Sequence, residues 1–251
     1  MEGLALCPAG RCRAHARNAS RYHVCTLNDT SSSISAAEAN LMRVEAARYA
    51  LLRRLAFAMR HQLVMHLQPI GMVTEVMERR LRATVPDLAQ VHDGMTKINS
   101  FSKAAVQECL DVITWLAPEP GATVAFEAGV QECMTLLRSN FSFRGFTVRS
   151  EVEAMPQQVG KSAMRMVLPG ALVALADTTE APAIIVLAAS ADGDVVRLEL
   201  RVQRTEGELL PGGEQPYRPM KWDEVQAMAR AEDVEVRCEG DGAVLEFPIL
   251  E

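Results

Sequence analysis

The sequence predicts an α+β protein in which a long two-helix hairpin precedes a mixed sheet with helices on one of its faces. Three observations carry that expectation. Apolar residues recur at seven-residue spacing between Ser35 and Leu116, the period of helices that pack lengthwise. The stretch Ala117-Pro-Glu-Pro-Gly-Ala122 then breaks every period. Beyond it, alternating segments of strand length interleave with segments of helical period, the pattern of an α+β domain.

Residues 1–34 have no periodicity and mix Cys, His, Arg, Asn and Ser, which reads as a flexible leader. Cys7, Cys12, His15, His23 and Cys25 fall there, but without a Cys-x-x-Cys pair the spacing favours an unstructured leader over a zinc site. Ser35-Ala-Ala-Glu38 is a capping-box pattern and starts a helix expected to reach Leu81. Only Pro69 interrupts it. Proline lacks a backbone donor and presses on the preceding turn, so a bend is expected close to Met65. Leu52, Met59, His66, Val73 and Ala56, Leu63, Ile70, Met77 make two neighbouring rows. Arg54, His61, Gln68 and Glu75 make a polar stripe expected to face solvent.

A turn around Thr84, Val85 and Pro86 leads to a second helix with rows Val91, Ile98, Ala105, Val112 and Met95, Ser102, Cys109, Leu116. Matching seams and a short connection predict an antiparallel hairpin. The apolar surface left over predicts pairing of two chains into a four-helix bundle. The expected division is therefore a leader (1–34), a dimerisation hairpin (35–116), a linker (117–123) and an α/β domain (124–251). Within the last, strands are expected at 124–126, 146–153, 183–191, 195–203, 234–239 and 243–249, and helices at 127–140, 162–177 and 221–232. Asp192-Gly193 and Asp241-Gly242 are expected to supply tight turns.

Composition narrows the function classes. With 49% hydrophobic and 23% charged residues and a net charge of -6, the chain has the balance of a globular protein and no basic signature of nucleic-acid binding. No run approaches the roughly 18 apolar residues of a membrane helix, and no secretory signal opens the chain. A cytoplasmic location follows as an expectation, with the six cysteines reduced and Cys109 and Cys133 filling small apolar positions on helices.

The segment His61-Gln-Leu-Val-Met-His-Leu-Gln-Pro-Ile70, inside a helical hairpin, resembles the phosphoacceptor segment of two-component sensor histidine kinases. The likeness is to the subgroup whose acceptor is followed by a Leu-Gln-x-Ile ending, here Leu67-Gln68-Pro69-Ile70. On that alignment His61 is the acceptor, and the order after the linker is similar to the family's ATPase domain, a sandwich of helices on a sheet. The departures are chemical. The family's metal-holding asparagine is absent from Met166-Val-Leu-Pro-Gly-Ala-Leu-Val-Ala-Leu-Ala176, where Pro169 and Gly170 are expected to weaken the helix. Arg204 lies near the position of the adenine-binding carboxylate. No Gly-rich second box occurs, 208–219 is short for a nucleotide lid, and Glu206-Gly207 reads as a loop entry. The resemblance thus implies a degenerate ATPase-like domain that binds no ATP.

What remains is His61. Phosphoryl transfer to an imidazole needs an exposed neutral ring nitrogen, positioning and charge neutralisation. Arg60 is placed to help neutralise the phosphoryl group, with Arg54 two turns upstream on the same stripe. Gln62 stands where family kinases often carry a carboxylate; it can orient an imidazole but cannot take its proton. That favours a phosphorelay histidine phosphotransferase exchanging phosphoryl groups with receiver-domain aspartates, the receiver supplying Mg2+. His66, on the seam row, is the backup acceptor. Glu108, Asp111 and Lys103 read as a solvated helix face. The expected partners are a second copy of the chain, response-regulator receivers and a sensor histidine kinase. The alternatives are a non-catalytic pseudokinase scaffold or inhibitor, and, behind it, an active kinase with an unorthodox nucleotide site.

Overall fold

The capping box at Ser35 closes as its spacing requires: the Ser35 hydroxyl accepts the Glu38 amide at 3.2 Å while the Glu38 carboxylate accepts the Ser35 amide at 3.0 Å. From it helix α1 (Ala36–Leu81) runs unbroken through Pro69 in the computed structural model, which describes residues 35–117, 119–205 and 217–250. The leader with its cysteines and histidines, and the Glu206-Gly207 step, lie outside the described residues. Asp87 caps helix α2 (Leu88–Leu116) by accepting the amides of Ala89 and Gln90.

The two helices fold back as the expected hairpin, but its two predicted α2 seam rows have different fates. Val91, Ile98, Ala105 and Val112 are buried or half-buried, and Gly94 lets the helices close, since a Cβ there would lie 2.5 Å from Met77 Sδ. The other row turns away except at half-buried Ser102: Met95 and Leu116 are each 59% exposed, and Cys109 is exposed rather than packed.

The α+β part begins with strand β1 (Thr123–Ala125), helix α3 (Phe126–Phe143) and strand β2 (Phe146–Ser150). A short strand β3 (Gln158–Gly160), absent from the sequence expectation, pairs antiparallel with β1. Helix α4 (Lys161–Thr178), strands β4 (Ala183–Asp192) and β5 (Val195–Arg204), helix α5 (Trp222–Ala231) and strands β6 (Glu235–Glu239) and β7 (Gly242–Pro248) complete the order. The main sheet runs β2-β4-β5-β7-β6, parallel only at β2-β4, where α4 provides the crossover. Each two-residue turn sits one residue away from its expected place. Gly193-Asp194 joins β4 to β5 and Gly240-Asp241 joins β6 to β7, with the glycine at the first central position at φ +59° and +55°.

Strand alternation sorts the sheet faces. Ile185, Leu187, Leu198, Leu200, Leu245 and Phe247 point into the core, whereas on the other face Glu246 pairs across strands with Arg197 and Arg237, and Arg237 also pairs with Glu235 along β6. Above the core face, α4 is buried at every residue from Ala163 to Ala176, which explains its apolar composition all round. Pro169 and Gly170 do not break it. Gly170 instead admits α5, because a Cβ there would lie 2.8 Å from Met228 Cε.

The largest departure concerns the boundary between hairpin and domain. Val44, Ala47, Leu51, Leu55 and Ala58, at helical three- and four-residue spacing, are buried where α1 packs on α3, α4 and α5. Full burial of Leu51 and Leu55 stabilises this junction by about 1.5–3 kcal/mol each. The described residues from Ser35 onward therefore form one compact unit, and α1 bridges the division expected at 117–123.

Candidate functional site

The predicted polar stripe splits at its first member. Arg54 is 4% exposed and its guanidinium grips Asp177, near the end of α4, through two bonds of 2.9 and 2.7 Å. It also donates to the Arg218 carbonyl at 2.9 Å. The same carboxylate accepts Arg144 at 2.7 Å and the Met220 amide at 2.8 Å. The expectation that Arg54 faces solvent beside His61 is thus corrected: the α+β domain covers this part of α1, and Asp177 supplies the counter-charge. Burial pushes the Arg144 guanidinium below its ordinary range, and Asp177 draws it part of the way back.

Seven residues further on, the domain covers the helix only in part. Gln68 and Glu75 are exposed, as expected, and His61 is half-buried. Its imidazole stacks on Phe57, one turn upstream, with centroids 6.4 Å apart and planes 8° from parallel. Phe143, the last residue of α3, meets Phe57 edge-on at 6.5 Å and 80°. The Arg60 guanidinium carbon lies 5.5 Å from the centre of the Phe57 ring. Among the described residues no hydrogen bond or ion pair engages the His61 ring or the Arg60 guanidinium.

Adjacent helix residues point about 100° apart, and Gln62 accordingly faces elsewhere than His61. It lines a cleft of about 330 Å³ between α1, α2 and α3 with Met59, Glu108, Asp111, Trp115 and Glu132. Glu108 and Asp111 are half-buried there, not on a freely solvated face; Lys103 is exposed as expected. Burial and neighbouring Asp111 lift the Glu108 carboxyl above its ordinary range, and His66 partly offsets them. His66 is half-buried on the row that faces α2, which agrees with the packed position the heptad assigns it.

A second buried cation went unnoticed in the sequence. Arg165, 4% exposed, donates to Thr114 at 2.7 Å and Glu132 at 2.5 Å and lies over the Trp115 ring, tying α4 to α2 and α3. Its signal was legible, for it is the lone charge in the apolar run 163–176. Asp177 carried a signal too, since an acid in the last turn opposes the helix dipole unless cations answer it. Cys133 is fully buried as expected, and burial raises its thiol far above the ordinary range, which keeps it protonated and inert. No group of three or more metal-ligating side chains occurs among the described residues. No described helix is long and apolar enough to cross a membrane.

No family model matches the sequence, and no curated protein is similar to it at a significant level. Among solved structures, a histidine kinase from Burkholderia phymatum is similar at 16% identity over 84% of this chain and 97% of that one, with a TM-score of 0.39. A bacterial phosphotransferase matches at 13% identity over 78% and 95%, TM-score 0.37. The histidine kinase ThkA, solved in complex with the response regulator TrrA, matches at 14% identity over 88% and 67%, TM-score 0.38. The structural neighbours are thus histidine kinases and a phosphotransferase at a distant level of likeness. The architecture described above rests on the chain's own elements.

Proposed function

We propose that the protein is a histidine phosphotransferase that exchanges phosphoryl groups between His61 and receiver-domain aspartates. The observation that carries this reading is the state of His61: it lies half-buried on α1 beside the end of α3, with ring nitrogens that no described residue engages and Arg60 alongside. In the step, the unprotonated ring nitrogen attacks phosphorus and the bond from phosphorus to the aspartyl oxygen breaks. The receiver carboxylate leaves with that electron pair, and its Mg2+ balances the charge. The other ring nitrogen keeps its hydrogen, which the phosphorylated ring can release to water. Arg60 approaches the transferred oxygens, a role that Arg54 cannot share.

A homodimer supports the site. The uncovered α2 row Met95, Cys109 and Leu116, with Val106 and Ile113, matches what a second hairpin would seal in a four-helix bundle. We place this chemistry in the cytoplasm, where receivers operate. The same uncovered rows also suit a scaffold that binds a kinase or receiver without transfer, so the test separates the two.

Mixing the purified protein with a phosphorylated receiver should give an acid-labile, base-stable label that His61→Ala lacks and His66→Ala retains. No label with any receiver tested would sink the relay. Intact receiver binding and biological output in His61→Ala would move the assignment to a scaffold, and labelling from ATP alone would make the protein a kinase.

A further inference from the structure

The geometry points to Phe57 as the positioning residue of the acceptor, braced by Phe143, an inference that rests on the relay reading of His61. One ring organises both groups the transfer needs. His61, four residues on and therefore on the same face of the helix, stacks on it at 6.4 Å and 8°, and the Arg60 guanidinium lies 5.5 Å from its centre. Nucleophile and charge-neutralising cation are thereby held around a common surface. Phe57 is itself fixed by the edge of Phe143, which arrives from the last turn of α3. This contact gives the α+β domain a part in the chemistry that requires no nucleotide.

Neither aromatic belongs to the core: Phe57 is 38% and Phe143 67% exposed, so burial does not account for them. A histidine within a helix samples two χ1 wells, the third clashing with the preceding turn, and about two χ2 orientations. Holding one of roughly four arrangements raises the fraction of productive encounters by up to about fourfold, without affecting how tightly the receiver docks. Among the described residues no hydrogen bond competes with this stacking to select the imidazole rotamer.

The test compares the full-length protein with Phe57→Leu, Phe57→Tyr and Phe143→Leu. Transfer from a phosphorylated receiver is measured over a range of receiver concentrations, and transfer from phosphoramidate is measured alongside. In the latter, a ring nitrogen takes the phosphoryl group as the P–N bond breaks and ammonia leaves. Phe57→Leu should lower the saturated rate about two- to fourfold by both routes, with an unchanged half-saturating receiver concentration. Phe143→Leu should give a smaller loss of the same kind, and Phe57→Tyr should restore the rate. The NMR signals of the His61 ring protons, displaced by the Phe57 ring, should move toward solvent-exposed positions in Phe57→Leu. Unchanged rates and ring signals would overturn the inference, as would a loss confined to the half-saturating concentration, which would make the aromatics receiver contacts. If the unaltered protein accepts no label from receivers, the relay reading fails by itself. The phosphoramidate rates and ring signals then still decide whether Phe57 positions the imidazole.

Discussion

Removing either partner of the buried Arg54–Asp177 pair should destabilise the fold, and the two removals should differ in a direction the structure fixes. Asp177 accepts two bonds from Arg54, one from Arg144 and one from the Met220 amide, and its side chain is 2% exposed. One anion therefore answers two cations. Arg54→Met keeps most of the apolar stem and leaves Asp177 paired with Arg144, so the loss should fall near the low end of the range for broken buried pairs, about 3 kcal/mol. Asp177→Asn leaves two guanidiniums facing each other with no anion and should cost about 5 kcal/mol. In the double variant the repulsion is gone, so its loss should fall short of additivity by about 1–3 kcal/mol. Urea unfolding at one fixed protein concentration measures all three, which matters because dimerisation would make stability concentration-dependent. Losses under about 1 kcal/mol, or a larger loss for Arg54→Met than for Asp177→Asn, would refute the account of α1 as docked on the α+β domain through this cluster.

Two further outcomes follow from other parts of the molecule. Burial and Asp111 raise the Glu108 carboxyl above its unfolded value, so its ionised form burdens the folded state once pH rises through the folded pKa; below the unfolded range near about 4.3 the burden is absent. Glu108→Gln should therefore raise the urea midpoint at pH 7, by less than about 1 kcal/mol because water still reaches the half-buried side chain, and leave it unchanged at pH 3.5 to 4; equal shifts at both pH values would contradict the assignment. Gly242→Ala should lose about 2–3 kcal/mol, since the new Cβ would press into the Leu200 carbonyl oxygen of the neighbouring central strand. An unaltered urea midpoint for that variant would show that β5 and β7 are not registered as described.

Much of the fold was legible because local periodicity reports local structure. The Ser35 cap, the hairpin turn at Thr84 to Pro86, and all but one strand of the α+β order follow from capping chemistry, from period-seven rows and from period-two alternation. Strand β3 escaped because Gln158–Gly160 carries no local strand pattern and is a strand through its pairing with β1. The two glycine turns shifted by one residue because pairing register, which lies between strands, decides which residues are central. At the site, His66 was legible as a seam residue, whereas His61, expected to face solvent, is half-buried against Phe57.

By itself the sequence determined which segments are helix or strand, the amphipathic rows they carry and the histidine that a polar stripe presents. Only the tertiary structure decided which rows are covered and by what. A heptad row records that a surface is apolar or polar without naming its neighbour. The α+β domain, packed on the first half of α1, buried Arg54 against Asp177 and stopped one heptad short of burying His61. The same packing brought Phe143 to Phe57 across 86 residues of chain, a contact between distant positions that no local pattern encodes.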